Sequence, residues 1–245
     1  MGKLKNMFTA TDMTIGTPWK QIVLFAVPML VGNIAQQMYN TVDSIVVGRY
    51  VGDNALAAVG SASPIVNLML VLFIGISAGA GIMVSQYFGA KAREDLSKTI
   101  GNCITVSAIA AIIMMIIGPM VTRPLLSLLN TPESIFEWCA SYLNIMLYGI
   151  AGMIYYNILS GILRGLGDSL SALLYLLVAT VLNIVLDVYF VAQLGMGVSG
   201  VALATVIAQA VSAVLCFIKL LRMNAIFDLK RQHFALHKKL RRDYY

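Results

Sequence analysis

The sequence predicts an all-α fold, a polytopic membrane protein whose body is a bundle of six transmembrane helices. Three observations carry this. Hydrophobic residues make up 59% of the 245 and charged residues only 11%, with a mean hydropathy of +0.83, far from the balance of a soluble domain. Runs of about 20 mostly apolar residues, the length that crosses a hydrocarbon core of ~30 Å, recur along nearly the whole chain. Between them, Lys and Arg collect in alternate loops. The charge of +6 therefore reflects orientation in a membrane rather than a nucleic-acid surface, and little chain remains for a soluble catalytic domain.

The periodicity places spans over residues 18–48, 55–88, 100–121, 134–163, 169–193 and 198–221. Thr17 before Pro18 reads as an N-cap and N1 pair opening the first span, and Thr131 before Pro132 as another opening the fourth. The first two spans are longer than a perpendicular crossing, so they tilt, kink or extend beyond the lipid. Pro28 and Pro64 are the expected kink sites. Cys103 on the third span, like Cys139 and Cys216 elsewhere, has neither disulfide nor metal-ligand spacing and reads as a packing residue. The fourth carries Asn157 and Ser160. The fifth, "SALLYLLVATVLNIVLDVYFVAQ", carries Thr180, Asn183 and Asp187 at successive turns, and the sixth carries Thr205, Gln209 and Ser212 at i, i+4, i+7.

Six spans put both termini on one side. Of the 17 Lys and Arg residues, all but Arg49 and Arg123 fall on that side, so both termini are expected to be cytoplasmic, in a multi-pass protein of the plasma (inner) membrane. Residues 1–17 read as a cytoplasmic N-terminal segment with no apolar signal-peptide region. Residues 223–245 read as a basic, amphipathic segment suited to an anionic membrane surface. His233 and His237 in that segment share a helix face but lack a third ligand for a metal.

The informative residues are the carboxylates inside the apolar spans. In "QQMYNTVDSIVVGRYVG", Gln36, Tyr39, Asn40 and Asp43 follow i, i+3, i+4, i+7 spacing, a polar stripe that must face protein or water. Asp187 is flanked on both sides by apolar runs. A central Asp costs ~2.5–3.5 kcal/mol on insertion scales, so two of them demand partners or a function. Two carboxylates with amide and hydroxyl oxygens form a hard-oxygen set, suited to a small cation such as Na+ held by Asp43 and Asp187, or to a proton. Competition between proton and cation at one site is the physical basis of antiport. Isolated Thr and Ser residues, by contrast, often serve only as hydrogen-bond links between helices.

The loop "RGLGDS", residues 164–169, contains a GxGD pattern resembling that of intramembrane aspartyl proteases. Asp168 lies in a predicted loop beside Arg164, no Tyr-Asp pair occurs inside a span, and the family's Pro-Ala-Leu motif is absent. A tight glycine turn with Asp168 capping the next helix is the reading adopted. No nucleophile–base pair stands out elsewhere, so the chain is not read as an enzyme.

The stretches "PMLVGNIAQQMYNTVDSIVVGRYVGDNALAAVG", "GAGIMVSQYFGAKARED", "GILRGLGDS" and "NIVLDVYFV" together resemble the N-terminal lobe of the multidrug and toxic compound extrusion (MATE) transporters, in order, over about residues 18–222. The resemblance implies two six-helix bundles related by a pseudo-two-fold around a central cavity that opens alternately to either side. It also implies export of organic cations and drugs in exchange for Na+ or H+, with no other cofactor. It places the cation site on Asp43, Asn157, Asn183, Asp187 and Thr205, with Gln36, Tyr39 and Asn40 lining the cavity. Only six of the family's twelve helices are present. Residues 18–222 are therefore expected to form one lobe, 223–245 the start of the linker between lobes, truncated, and activity to need a second lobe from another chain or by self-association. The alternatives are a lipid-linked oligosaccharide flippase of the same superfamily, for which no Lys or Arg lies deep in a span to meet a pyrophosphate, and a non-transporting subunit or truncated gene product.

Overall fold

In this computed structural model, the structure describes residues 17–223 and 226–227, so the expectations for most of the two terminal segments lie outside the described residues. Among the described residues seven α-helices follow one another: α1 Pro18–Tyr50, α2 Asp53–Gly89, α3 Arg93–Leu128, α4 Glu133–Tyr148, α5 Ile150–Gly165, α6 Ser169–Asp187 and α7 Val198–Leu221, with a π-helical turn, Val188–Gln193, extending α6. Five of these segments are long and apolar enough to cross a membrane, and α4 with α5, bent by 52° at Gly149, makes a sixth. This is a multi-pass membrane bundle.

Its outer surface confirms the solvent. Leu68, Leu72, Ile116, Met120 and Val181 stand exposed, an arrangement that water would penalise and lipid tails accept. α1 packs mainly on α6, α2 on α5 and α4, and α7 sits centrally against α4, α5 and α6. Two buried apolar clusters divide the interior. One, with Ile100, Ile158, Leu163 and Leu220, fills the end nearer the chain termini; the other, with Val47, Ala58, Leu143 and Val201, fills the opposite end.

Small residues bring the central helices together, because association within lipid rests on close packing rather than on hydrophobic exclusion. A β-carbon on Gly161 of α5 would lie 2.3 Å from Ser77 Oγ and 2.8 Å from Ser77 O of α2. The space so freed admits a hydrogen bond of 2.6 Å from Ser77 Oγ to Asn157 O. The break at Gly149 has a similar origin: Val206 of α7 occupies the position a β-carbon would need, 2.1 Å away. Sequence periodicity had run residues 134–163 as one helix. The expected kink sites Pro28 and Pro64 lie inside α1 and α2.

Helix starts follow the sequence unevenly. Pro18 does open α1, but Thr17 makes no side-chain cap bond. At the second predicted pair the helix starts one residue late, with Pro132 itself the extended cap of α4. The "RGLGDS" turn behaves as read. Gly167 takes φ 80°, and Asp168 caps α6, accepting from Ser171 N at 3.0 Å and Ser171 Oγ at 2.8 Å. Asp168 Oδ2 also pairs with Lys219 Nζ of α7 at 3.2 Å, with the carboxylate fully buried. This joins the start of α6 to the end of α7. All three cysteines are free, and Cys139 packs with its Sγ 3.4 Å from Ala58 O.

Two outcomes follow for stability in detergent. Gly161→Val removes the α2–α5 crossing, because the two added methyl groups have nowhere to go; size-exclusion chromatography should show loss of the monodisperse species. Asp168→Ala removes a cap, about 1 kcal/mol, and a buried ion-pair partner as well. Asp168→Asn keeps the cap alone, so its melting midpoint should fall between Asp168→Ala and the parent.

Candidate cation site

α1 reaches the interior on one side only. At about 100° per residue, the buried residues Gly32, Ala35, Tyr39, Asp43, Val46 and Val47 fall within an arc of roughly 120°. Asn33, Gln36, Gln37 and Asn40 lie along and beyond one edge of that arc and are exposed. The predicted stripe is thus divided. Tyr39 and Asp43 turn into the bundle, while Gln36 and Asn40 stay at its surface.

On α6, Asn183 and Asp187 are one turn apart and both fully buried. α1 and α6 run parallel, so Asp43 comes level with this pair, lying against Asp187, Asn183 and Thr205. α7 runs antiparallel to α6, with Ser212 Oγ donating to Tyr175 O at 2.9 Å at one level. At the next, Asn183 Nδ2 donates to Thr205 Oγ1 at 3.5 Å, at the limit of a hydrogen bond. Tyr39 lies against Thr205 on the same cluster. The π-helical turn begins at the residue after Asp187, placing an irregular backbone beside the site, where such turns often occur.

The chemistry of the cluster lies in its acceptors. Asp43 Oδ1, Asn183 Oδ1 and both oxygens of Asp187 are buried and take no hydrogen bond from any described residue. An ionised carboxylate can only accept, and buried acceptors without donors are costly. Four such oxygens converging from two helices call for a positive charge among them. A proton shared by the carboxylates or a small hard cation ligated by carboxylate, amide and hydroxyl oxygens meets that requirement. The residues present fit either.

Four of the five predicted ligands come together here: Asp43, Asn183, Asp187 and Thr205. Asn157 does not join them. Its Nδ2 donates to Met153 O at 2.8 Å, and it lines a separate small cavity with Gln36 and Arg164. Asn157 sits on the α5 face that also carries Ser160 and Arg164 at i+3 and i+7, and that face meets the end of the bundle nearer the termini. Sequence reasoning missed Tyr142 of α4, which is buried, lies against Ser63 and is electrostatically coupled to both Asp43 and Asp187. A tyrosine in an apolar span reads equally as a membrane-interface residue, so no local signal singled it out.

The MatE family model matches residues 28–189, which include Asp43, Asn183 and Asp187. The chain belongs to the MatE family. Probable multidrug resistance protein YoeA of Bacillus subtilis (strain 168) is 34% identical to it over 219 residues, 88% of this chain and 46% of that protein. Probable multidrug resistance protein NorM of Thermotoga maritima is 27% identical over 90% of this chain and 47% of that protein. Among solved structures, an outward-facing multidrug resistance MATE transporter of the MOP superfamily superposes with a TM-score of 0.88 at 28% identity, over 95% of this chain and 52% of that one. The MatE family is one of membrane transporters, not enzymes. This chain spans about half the length of the curated relatives it matches.

The orphaned acceptors carry a stability prediction. In Asp187→Asn the new amide can donate to Asp43, so the ion-free variant should melt no lower than the parent and up to about 1 kcal/mol higher, by the worth of one hydrogen bond. Differential scanning fluorimetry in sodium-free buffer at neutral pH measures this. A drop of several degrees would contradict the orphaned-acceptor account.

Proposed function

We propose that this chain is one six-helix lobe of a cation-coupled antiporter that exports organic cations and amphipathic drugs. The observation that carries this reading is the buried pair Asp43 and Asp187 with its four unpaired acceptor oxygens. The relatives named as multidrug resistance proteins support the substrate class. The coupling ion is Na+ or H+, held between the two carboxylates with Asn183 and Thr205 alongside. The lobe sits in the plasma membrane with both termini cytoplasmic.

Coupling follows from electrostatics. With neither ion bound, two carboxylates repel across the α1–α6 seam; with a proton or cation between them the seam closes. Because α1 also carries the exposed polar residues Asn33, Gln36, Gln37 and Asn40, a shift of α1 on α6 alters the surface that meets the substrate. A second six-helix lobe, from the rest of a longer chain, another chain or a second copy, completes the cavity.

Sodium-22 binding to the purified chain across about pH 5 to 8 tests the site. Binding should saturate, weaken as pH falls and protons compete for the same oxygens, and vanish in Asp43→Asn and Asp187→Asn. Cation-driven efflux that persists at the parental rate in Asp187→Asn, assayed in proteoliposomes with a second lobe present, would overturn the assignment.

A further inference from the structure

A second polar cavity of about 60 Å³ lies between α1, α5 and α6, on the side of the carboxylates nearer the chain termini. Asn33 and Gln36 of α1, Asn157, Ser160 and Arg164 of α5, and Ser169 of α6 supply its polar lining. Gln36 is two turns from Asp43, so the cavity stands about 10 Å from the cation site along α1.

Among the described residues lining it, Arg164 is the one cationic side chain and no carboxylate is present; the buried phenol of Tyr156 is the other ionisable group. Among the described residues the one hydrogen bond of Arg164 is to Ser160 Oγ at 3.4 Å, long for an N–H···O bond. A guanidinium has five N–H donors, so most of this fork has no protein acceptor among the described residues. The nearest carboxylate in sequence cannot serve. Asp168 is committed to Ser171 and Lys219 on the α7 side, and that ion pair neutralises itself, leaving the Arg164 charge uncompensated. Ser160 spends its own proton on Asn157 O at 3.0 Å and can offer Arg164 only a lone pair.

A half-buried guanidinium with the amides of Asn33 and Gln36 and the hydroxyl of Ser169 around the same cavity recognises an anion with several acceptor oxygens. The volume matches one tetrahedral head group. Met29 of α1, which lines the cavity, is exposed, as is Leu30 beside it in the chain, an apolar edge on which an acyl chain can lie. From this juxtaposition we infer that the α1–α5–α6 cavity binds the phosphate of an anionic amphiphile, with Arg164 as its principal contact. The site carries opposite charge preference to the carboxylate pair and does not rest on ion coupling.

Native mass spectrometry of the chain in mixed micelles of phosphatidylglycerol and phosphatidylcholine tests this, with titration by inorganic phosphate as a second arm. The chain should retain phosphatidylglycerol in preference to phosphatidylcholine. Arg164→Gln should weaken that retention at least tenfold, Ser160→Ala by a smaller factor, and Arg123→Gln at the opposite end not at all, with unchanged helical circular dichroism in each. Saturable phosphate binding lost in Arg164→Gln, without lipid preference, would identify the free anion as the ligand. Equal retention of both lipids together with no phosphate binding, or an unaltered preference in both Arg164→Gln and Ser160→Ala, would overturn the inference.

Discussion

Two carboxylates facing each other in a dry interior constrain everything around them. Unit charges of like sign about 4 Å apart repel by roughly 4 kcal/mol at an effective dielectric of 20, and desolvation adds to this. A membrane protein retains such a pair only where a positive charge arrives to resolve it. The surroundings are arranged so that the protein does not supply that charge itself. The cluster's partners are an amide and a hydroxyl, Asn183 and Thr205; Asn183 Nδ2 donates to Thr205 Oγ1, and Asn183 Oδ1 has no hydrogen-bond partner among the described residues. Lys219 and Arg164 are spent at the end near the termini, one on Asp168 and the other in its own cavity.

The scaffold holds the two halves of the pair with unequal firmness. Asp187 belongs to α6, which is capped by Asp168, tied to α7 through Lys219 and sealed against α7 along its length. Asp43 belongs to α1, of whose apolar span only 17% is buried, against 50% for α7. Hence the carboxylate pair, the proposed ion site, lies on the seam between a well-anchored helix and the least buried of the spanning helices among the described residues. Occupancy changes are best transmitted at such a seam, because moving α1 breaks little packing.

The close crossings explain why the fixed part stays fixed. Gly161 lets α5 approach Ser77, and Gly149 lets the α4–α5 span bend over Val206. Without these small residues, α5 could not lie near the centre of the bundle, nor could α7 present Thr205 toward Asn183. Asn157 of α5 bonds to Met153 O and lines the α1–α5–α6 cavity with Arg164, apart from the carboxylates.

Hydropathy and charge by themselves determined the class of the protein and the number of crossings, because lipid admits only helices whose backbones are internally satisfied and tolerates carboxylates only at special places. Helical spacing likewise put Asn183 with Asp187 and marked Asp43. Asp168 was legible as a cap because capping depends on residues three apart in sequence. What only the tertiary structure decided was partnership. Whether α1 turns Asp43 or Asn40 inward, where the fourth span breaks, that Tyr142 reaches the site and that Asn157 does not all depend on contacts between helices distant in the chain. Such contacts are set by the side chains of both partners at each crossing, and no periodicity along one strand of sequence encodes them.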